Sequence, residues 1–338
     1  MKTISFAVPC FNSEEYMDIC IESLLACGDD VEILIVNDGS SDGTAAKADA
    51  WEAAHPGVVR AVHKENGGHG SAVNAGLAAA CGLYFKVVDS DDWLDARSME
   101  EIMAYLREQA SCEHPTDMVI ANYVYEKVHE DSRTEMHYRN VFPERRQFGW
   151  DEVGSFNHSQ YLLMHSVIYR RQLLCDMGLR LPEHCFYVDN IFVYEPLPQV
   201  HTMYYIDAPM YRYLIGREDQ SVNERVMMRR IDQHVRVARQ MIADVDVMSL
   251  EPRRLRKYME SYLSMMMCIA SVFLRMRNTD EDDDKLDDLW KYLKETDSAL
   301  YRRVRTNVLN LGTNLPTEVG RRLGLGGYHL AQRLFHFN

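Results

Sequence analysis

The sequence lacks several patterns that would assign it to a protein class at once. No two of its eight cysteines are three residues apart, so no C-x-x-C pair indicates a zinc or redox site. Most of the cysteines lie in apolar stretches, which predicts small buried thiols in a reducing cytoplasm. The N-terminal segment MKTISFAVPCFN has no long apolar region with a cleavage pattern, and it therefore does not predict a secretory signal.

Long apolar runs and positive charge are also scarce. The most apolar window, residues 261–276, is shorter than a membrane span, so we expect a buried helix there and a cytoplasmic protein. Lys and Arg number 37 against 51 Asp and Glu, for a net charge of −14. This balance argues against nucleic acid as a partner, since non-specific binding requires a basic face. The negative net charge does not exclude a nucleotide ligand, because a metal ion can neutralise the phosphates.

Residues 1–120 alternate between short apolar runs and segments with helical spacing. The apolar runs are TISFAVPC, VEILIVND, VVRAVHK and LYFKVVD. Strands that alternate with helices predict an α/β fold with a parallel sheet covered on both faces. Polar segments follow these four runs, as PCFN, NDGSSDG, KENGGHG and DSDD. Ligands bind beyond the carboxyl ends of such strands, so we expect the four segments to line one crevice.

Three carboxylates follow the fourth strand directly. Asp89, Asp91 and Asp92, hereafter the acidic cluster, offer hard oxygen ligands that suit Mg²⁺ or Mn²⁺ carrying a diphosphate. The alternative is a turn that caps the next helix, for which Asp92 or Asp95 alone would suffice.

The second and third polar segments are also candidates for a ligand site. Asp38 follows its strand immediately and could accept a hydrogen bond from an imide N–H such as that of uracil, although a capping turn is an alternative. The glycines of KENGGHGSAVNAG allow close approach of the backbone to a ligand. The pattern is neither a dinucleotide fingerprint nor a P-loop. His69 either contacts a phosphate or has no role.

The motifs VPCFN, VNDGSSDGT and NGGHGSAVNAGL…GLYFKVVDSDDWL, in this order, resemble those of family 2 glycosyltransferases of the GT-A fold. The resemblance implies a GT-A catalytic domain, residues 1–215, that binds a UDP-sugar through a D-x-D motif with Mn²⁺ or Mg²⁺. It further implies transfer with inversion to a saccharide or lipid-linked acceptor, in the synthesis of a surface polysaccharide or glycolipid.

The same resemblance assigns roles to residues. Pro9 and Phe11 would line the base pocket, with Phe11 stacked on the base, and Asp38 would hold the base. Asp89 and Asp91 match the D-x-D motif. The expected metal ligands are Asp89, Asp91 and Asp92, and the other expected substrate contacts are Asn12, Glu14, Asn66, Gly67, Asn74, Ser90 and Arg217.

An inverting transferase needs a general base that takes the proton of the attacking hydroxyl. By resemblance, Asp189 in CFYVDNIF is the expected catalytic base, although Val188 stands where the family usually has Glu. The alternatives are that Asp189 caps a helix, or that Glu183 is the base. His165, in MHS, is as compatible with a buried core residue as with a ligand contact.

After about residue 220 the periodicity predicts helices only, so we expect a helical C-terminal region, residues 216–338. This region is a candidate for contacts with the acceptor, with a second subunit in a homodimer, or with a membrane. Residues 302–338 carry six arginines and one acid, and they would either lie peripherally on an anionic membrane or pack on the catalytic domain.

Two other functions remain as alternatives. A sugar nucleotidyltransferase would need a glycine- and arginine-rich loop with a lysine after the first strand, and VPCFNSEEY does not supply it. A non-catalytic scaffold that binds nucleotide-sugars would not need the acidic cluster.

Overall fold

The structure is a computed structural model that describes residues 2–127, 133–157, 160–216 and 224–313. The chain divides into two compact units, Met1–Ile215 and Gly216–Asn338. We describe each unit by itself.

The first unit contains one mixed sheet, whose strands are β1 (Ile4–Cys10), β2 (Val31–Asp38), β3 (Val59–Lys64), β4 (Tyr84–Val87), β5 (Trp93–Leu94), β6 (Met118–Lys127), β7 (Arg133–Met136), β8 (Gln147–Phe148), β9 (Val167–Arg170) and β10 (Met203–Ile215). The strand order along the sheet is β3-β2-β1-β4-β9-β6-β10-β5. Strands β1 to β4 run parallel, whereas β9 is antiparallel to both of its neighbours. Strand β10 runs parallel to β6.

The α/β architecture follows from the apolar runs. Every residue of β1 and β2 is buried, as expected of strands that are covered on both faces. The helices of this unit are α1 (Met17–Leu25), α2 (Thr44–Ala54), α3 (His69–Ala79), α4 (Ala96–Gln109), α5 (Arg171–Asp176) and α6 (Asp189–Tyr194). The N-cap of α4 is Asp95, whose side chain accepts a hydrogen bond from the backbone N–H of Ser98. Asp92 is therefore not needed as a cap.

The second unit is helical in its described part. Its helices are α7 (Glu224–Asp244), α8 (Arg253–Arg277), α9 (Asp280–Thr296), α10 (Ser298–Thr306) and α11 (Val308–Thr313). The apolar window 261–276 lies in α8, where it forms a largely buried face. Helix α9 starts after Thr279, which caps it, and four acids in its first turn suit the helix dipole. Among the described residues, no helix is long and apolar enough to cross a membrane.

We expect one buried histidine to make the second unit sensitive to acid. His234 on α7 is 2% exposed, and its Nε2 lies 3.0 Å from the carbonyl oxygen of Met266 on α8. Burial lowers the pKa of His234 from 6.5 to about 4. Since the unfolded chain then binds the proton more readily, the free energy of unfolding falls as the pH drops from 6.5 towards 4.

We expect His234 to account for about 3 kcal/mol of this loss. Urea denaturation near pH 7 and pH 4.5 measures it in the wild type and in His234→Gln, where the titrating group is gone. The wild type should lose more stability than the variant over this interval. Equal losses in both proteins would show that His234 is not responsible.

Candidate functional site

The carboxyl ends of the parallel strands bring the polar segments together. Cys10 on β1 pairs with Asn37 on β2, and Asp38 pairs with Lys64 on β3. Strand β4, which leads into the acidic cluster, lies on the other side of β1. The segments that follow β1, β2, β3 and β4 therefore meet at one edge of the sheet, where α/β proteins bind ligands.

Asp38 fixes the glycine loop, which we define as residues 65–68. Its carboxylate is 2% exposed and accepts hydrogen bonds from Lys64 Nζ at 2.6 Å, from the Gly67 N–H at 3.0 Å and from the Gly68 N–H at 2.7 Å. Asn66 Nδ2 donates to the Asp38 carbonyl at 2.9 Å. Three of the roughly four acceptor positions of the carboxylate are thus in use. The contact with a base that we predict for Asp38 stays a prediction.

The glycine loop packs tightly against the segment that leads to α6. Gly68 has a φ of +84°, and a Cβ there would lie 3.2 Å from the backbone nitrogen of His184. The His184 N–H donates to the Gly67 carbonyl at 2.5 Å. The side chain of Asn74 donates to the Leu181 carbonyl at 2.8 Å and accepts from its N–H at 2.9 Å. Asn74 therefore anchors this segment to α3, and its predicted substrate contact stays a prediction.

His69 is the positive partner of the acidic cluster. Its Nε2 lies 2.8 Å from Oδ1 of Asp89, which is about one-quarter exposed. Burial lowers the pKa of His69, but Asp89, Asp189 and Asp91 outweigh this effect and raise it above its usual value. Burial likewise raises the pKa of Asp89, but His69, His165 and Lys86 hold it below the usual range. Each shift favours the charged form of its side chain, so protonated His69 and ionised Asp89 stabilise each other.

Asp92 connects the acidic cluster to β10. It is 1% exposed and accepts hydrogen bonds from the Tyr211 hydroxyl at 2.7 Å and from the Leu214 N–H at 2.8 Å. Burial, followed by the charges of Asp91 and Asp89, raises the pKa of Asp92 well above its usual value. The Tyr211 hydroxyl also accepts from the Asp89 N–H at 3.1 Å. Asp91 is half-buried beside them.

The predicted base pocket lies after β1. Pro9 is buried in the strand opposite Val36, so it can only form the floor of such a pocket. Phe11 follows the strand and is 54% exposed. A large aromatic ring that is exposed at the ligand-binding edge is suited to stacking on a base.

Three other predicted contacts connect the loops of the site. Asn12, at φ 52°, accepts a hydrogen bond from the Ser41 N–H at 2.9 Å. Glu14 accepts from the Gly43 N–H at 2.9 Å. The hydroxyl groups of Ser90 and Ser13 lie 2.8 Å apart. Arg217, also predicted as a contact, lies outside the described residues.

Asp189 lies within the electrostatic field of the acidic cluster. Burial and then the charge of Asp89 raise the pKa of Asp189, while His69 opposes them. Asp189 is the first residue of α6, after Val188 at the N-cap position, and hydrogen bonds from the backbone N–H groups of Asn190 and Asp189 partly offset the rise of its pKa. Its role as the base and the alternative that it caps the helix both stay predictions. Glu183, the second candidate for the base, is exposed.

Two residues beneath the site could hardly be assigned from the sequence. Lys86 on β4 is fully buried, and its Nζ donates to the carbonyl of His165 at 2.8 Å. The same ammonium lies 5.0 Å from the centre of the Tyr211 ring, on which the His165 ring stacks at 4.5 Å. The lysine inside the apolar run YFKVV is visible in the sequence as a buried charge that needs partners. Those partners are backbone carbonyls within residues 164–167, which are distant in sequence.

The donor atoms at this position fit a divalent ion. Ligand atoms of Asp89, Asp92 and His165 all lie within 4.8 Å of one another. Two of the predicted metal ligands, Asp89 and Asp92, belong to this group, and Asp91 does not. His165, which the sequence left open between core and ligand contact, joins them.

A family model described as "Glycosyl transferase family 2" matches residues 5–173. The chain is 28% identical over 232 residues to the protein described as putative glycosyltransferase EpsH of Bacillus subtilis. The aligned region covers 63% of this chain and 60% of that protein. The chain is also 35% identical over 124 residues to the glycosyltransferase GlyG of Streptococcus pneumoniae. Here the aligned region covers 36% of this chain and 39% of that protein. The chain thus spans 60% or less of the length of these relatives.

Solved structures share the fold at low identity. Residues 1–349 of S. aureus TarS, in complex with UDP-GlcNAc, match with a TM-score of 0.67 and 17% identity, over 99% of this chain and 92% of that one. The mannosyltransferase PcManGT from Pyrobaculum calidifontis, in complex with GDP-Man and Mn²⁺, matches with a TM-score of 0.54 and 15% identity, over 93% and 88%. At this level of identity the matches show the fold of the chain alone.

Proposed function

Since the chain belongs to glycosyl transferase family 2 and has the GT-A fold, we propose that it is a sugar transferase. The proposed reaction moves a sugar from a UDP-sugar to a hydroxyl acceptor and inverts the configuration of the anomeric centre. One observation carries the proposal. Asp89 follows β4 and the exposed ring of Phe11 follows β1, at the carboxyl ends of neighbouring parallel strands, and the charge of Asp89 raises the pKa of Asp189.

Uracil is the proposed donor base. Phe11 offers an exposed ring for stacking, and the Asp38 carboxylate accepts three hydrogen bonds at the glycine loop out of roughly four acceptor positions. The complexes of TarS with UDP and with UDP-GlcNAc support this choice, while the GDP-Man complex of PcManGT makes guanine the alternative to test.

The proposed mechanism is a single displacement with Asp189 as the base. Its carboxylate takes the proton of the acceptor hydroxyl as the oxygen attacks the anomeric carbon. The raised pKa of Asp189 brings it closer to neutrality, which favours proton transfer. A divalent ion at the acidic cluster would supply Lewis-acid neutralisation of the leaving diphosphate. His69, paired with Asp89, adds positive charge on the same side.

We propose a saccharide or lipid-linked acceptor in polysaccharide or glycolipid synthesis. Relatives described as chondroitin synthase and hyaluronan synthase, 37% identical over 98 residues, support a saccharide product. The second unit, residues 216–338, is proposed to contact the acceptor or a second subunit. A membrane contact through residues 302–338 falls largely on residues outside the described part.

Thermal shift against UDP, GDP, dTDP and CDP, with and without Mn²⁺, tests the donor proposal. A nucleotide at 100 times its dissociation constant adds about 2.7 kcal/mol to the free energy of unfolding, which raises Tm by a few degrees. We expect a Mn²⁺-dependent rise with UDP alone. A rise with GDP alone would make guanine the donor nucleobase instead of uracil. No rise with any nucleotide would favour a non-catalytic role. A panel of UDP-sugars then identifies the sugar by release of UDP.

A further inference from the structure

His165 carries a buried nitrogen that needs a partner. The residue is 7% exposed, and its Nδ1 is fully buried without a hydrogen-bond partner. A buried polar atom left unpaired costs about 1–3 kcal/mol, so such atoms in native proteins usually have a ligand or a structural reason. The position of His165 beside the acidic cluster suggests a ligand.

The imidazole ring is held in place on several sides. Its face stacks on Tyr211, with ring centres 4.5 Å apart and planes 7° from parallel. Tyr213 packs edge-on at 4.3 Å, and Tyr123 lies at 6.1 Å in the same manner. Lys86 fixes the backbone beneath it by donating to the His165 carbonyl. A ring with so few alternative orientations is preorganised for a specific contact.

The geometry around the ring matches a coordination site. A ring nitrogen of His165 and one carboxylate oxygen each of Asp89 and Asp92 lie within 4.8 Å of one another. Ligands about 2.1 Å from one ion are separated by about 3 to 4 Å, so a contraction of about 1 Å would bring all three atoms onto it. The contact of His69 with Asp89 uses Oδ1, and a carboxylate has further acceptor positions.

We infer that His165 is a metal ligand, together with Asp89 and Asp92, and that its imidazole makes the site favour a first-row transition ion such as Mn²⁺ over Mg²⁺. Magnesium prefers an all-oxygen shell, whereas imidazole nitrogen is a ligand typical of transition ions. Our inference rests on the proposed function, because the ion would hold the donor diphosphate. It goes further in naming a nitrogen ligand from the strand β9 region, outside the D-x-D motif.

The nearby cations set a limit on affinity. Burial lowers the pKa of Lys86 to about 7, and its protonated form interacts with Asp89 and Asp92, while Nε2 of His69 lies 2.8 Å from Asp89. Both reduce the negative charge available to a metal, so tight binding is expected only when the diphosphate adds its own oxygen ligands. Measurements therefore need Mn²⁺ both alone and with UDP.

Electron paramagnetic resonance of Mn²⁺ with the full chain tests the inference. Titration gives the affinity with and without UDP, and spin-echo modulation reports a bound imidazole nitrogen. We expect a histidine nitrogen signal in the wild type that changes frequency after ¹⁵N-histidine labelling. In His165→Gln the signal should disappear and Mn²⁺ binding should weaken about tenfold or more, while Mg²⁺ binding changes less.

Two variants serve as controls. His201→Gln makes the same change at an exposed position and should leave both readouts unaltered. His69→Gln should keep the nitrogen signal, and its loss there instead would assign the ligand to His69 and overturn the inference. A wild type without any histidine nitrogen signal overturns it without requiring a variant to fold. If UDP binding and transfer persist in EDTA, the metal site is wrong and the transferase function stands.

Discussion

Replacing Asp189 with asparagine is expected to lower kcat about 10²- to 10⁴-fold, the usual contribution of a general base, and to leave UDP binding unchanged. The amide keeps the size of the side chain but cannot take the acceptor proton. Asp189 is half-buried, and burial with the charge of Asp89 raises its pKa, as suits a base that works near neutrality. Removing the charge of Asp189 also changes the electrostatic field at Asp89, but we expect this to affect UDP binding far less than the loss of the base affects kcat.

Rates of UDP release with an acceptor, together with UDP affinity by calorimetry, separate the two effects. Glu183→Gln is the matched control, because it makes the same change six residues earlier in an exposed side chain. A large loss of kcat in Glu183→Gln with normal turnover in Asp189→Asn would move the base to Glu183. Loss of UDP binding in Asp189→Asn would assign this residue to the donor site instead.

The α/β framework could be predicted because its signals are local. Strands β1 and β2 are buried on both faces and therefore read as continuous apolar runs. The polar segments after them had to meet at one edge once the strands were parallel. The antiparallel strand β9 could not be placed in this way. It lies between β4 and β6 in the sheet but about 80 residues after β4 in the chain, and nothing local specifies that insertion.

The contacts beneath the site could not be predicted for a similar reason. The hydrogen bond from Tyr211 to Asp92 spans 119 positions of sequence, and that from Lys86 to His165 spans 79. No periodicity or motif encodes such pairs. Lys86 was nevertheless visible as a charge within an apolar run, which is a costly arrangement unless the charge finds partners. An isolated lysine in a buried strand is thus a reason to expect a polar network close by.

Residues that motif matching assigns to the substrate here also hold the loops together. Asn74 fixes Leu181, and Glu14 binds the N–H of Gly43. A ligand site built from loops needs such contacts, because the donor and the catalytic groups must be held within a fraction of an ångström. Similarity to a family motif therefore does not distinguish a residue that touches the substrate from one that positions its neighbours, and variants must be read for stability as well as for binding.

Among the residues that both hold the loops and are predicted to contact the substrate, Asp38 is the one whose substitution should lower the free energy of unfolding most. In Asp38→Asn, one oxygen acceptor is replaced by an amide donor in a side chain that accepts from Lys64 and from two backbone N–H groups of the glycine loop. Breaking a buried ion pair and leaving backbone donors unpaired should cost about 3 kcal/mol of the free energy of unfolding. UDP affinity should fall as well, because the loop that Asp38 fixes lines the proposed donor site. Urea denaturation and calorimetry measure the two losses.

Asp42→Asn is the matched control, since Asp42 lies four residues later and also accepts two backbone hydrogen bonds, from Thr44 and Glu14, but is exposed. Water can replace those bonds, so its loss should be about 1 kcal/mol or less. If Asp38→Asn keeps its stability and loses only UDP affinity, Asp38 acts through direct contact with the base, as the family resemblance implies. If stability and affinity fall together, the carboxylate acts mainly by holding the glycine loop, and binding is lost because the loop is no longer in place.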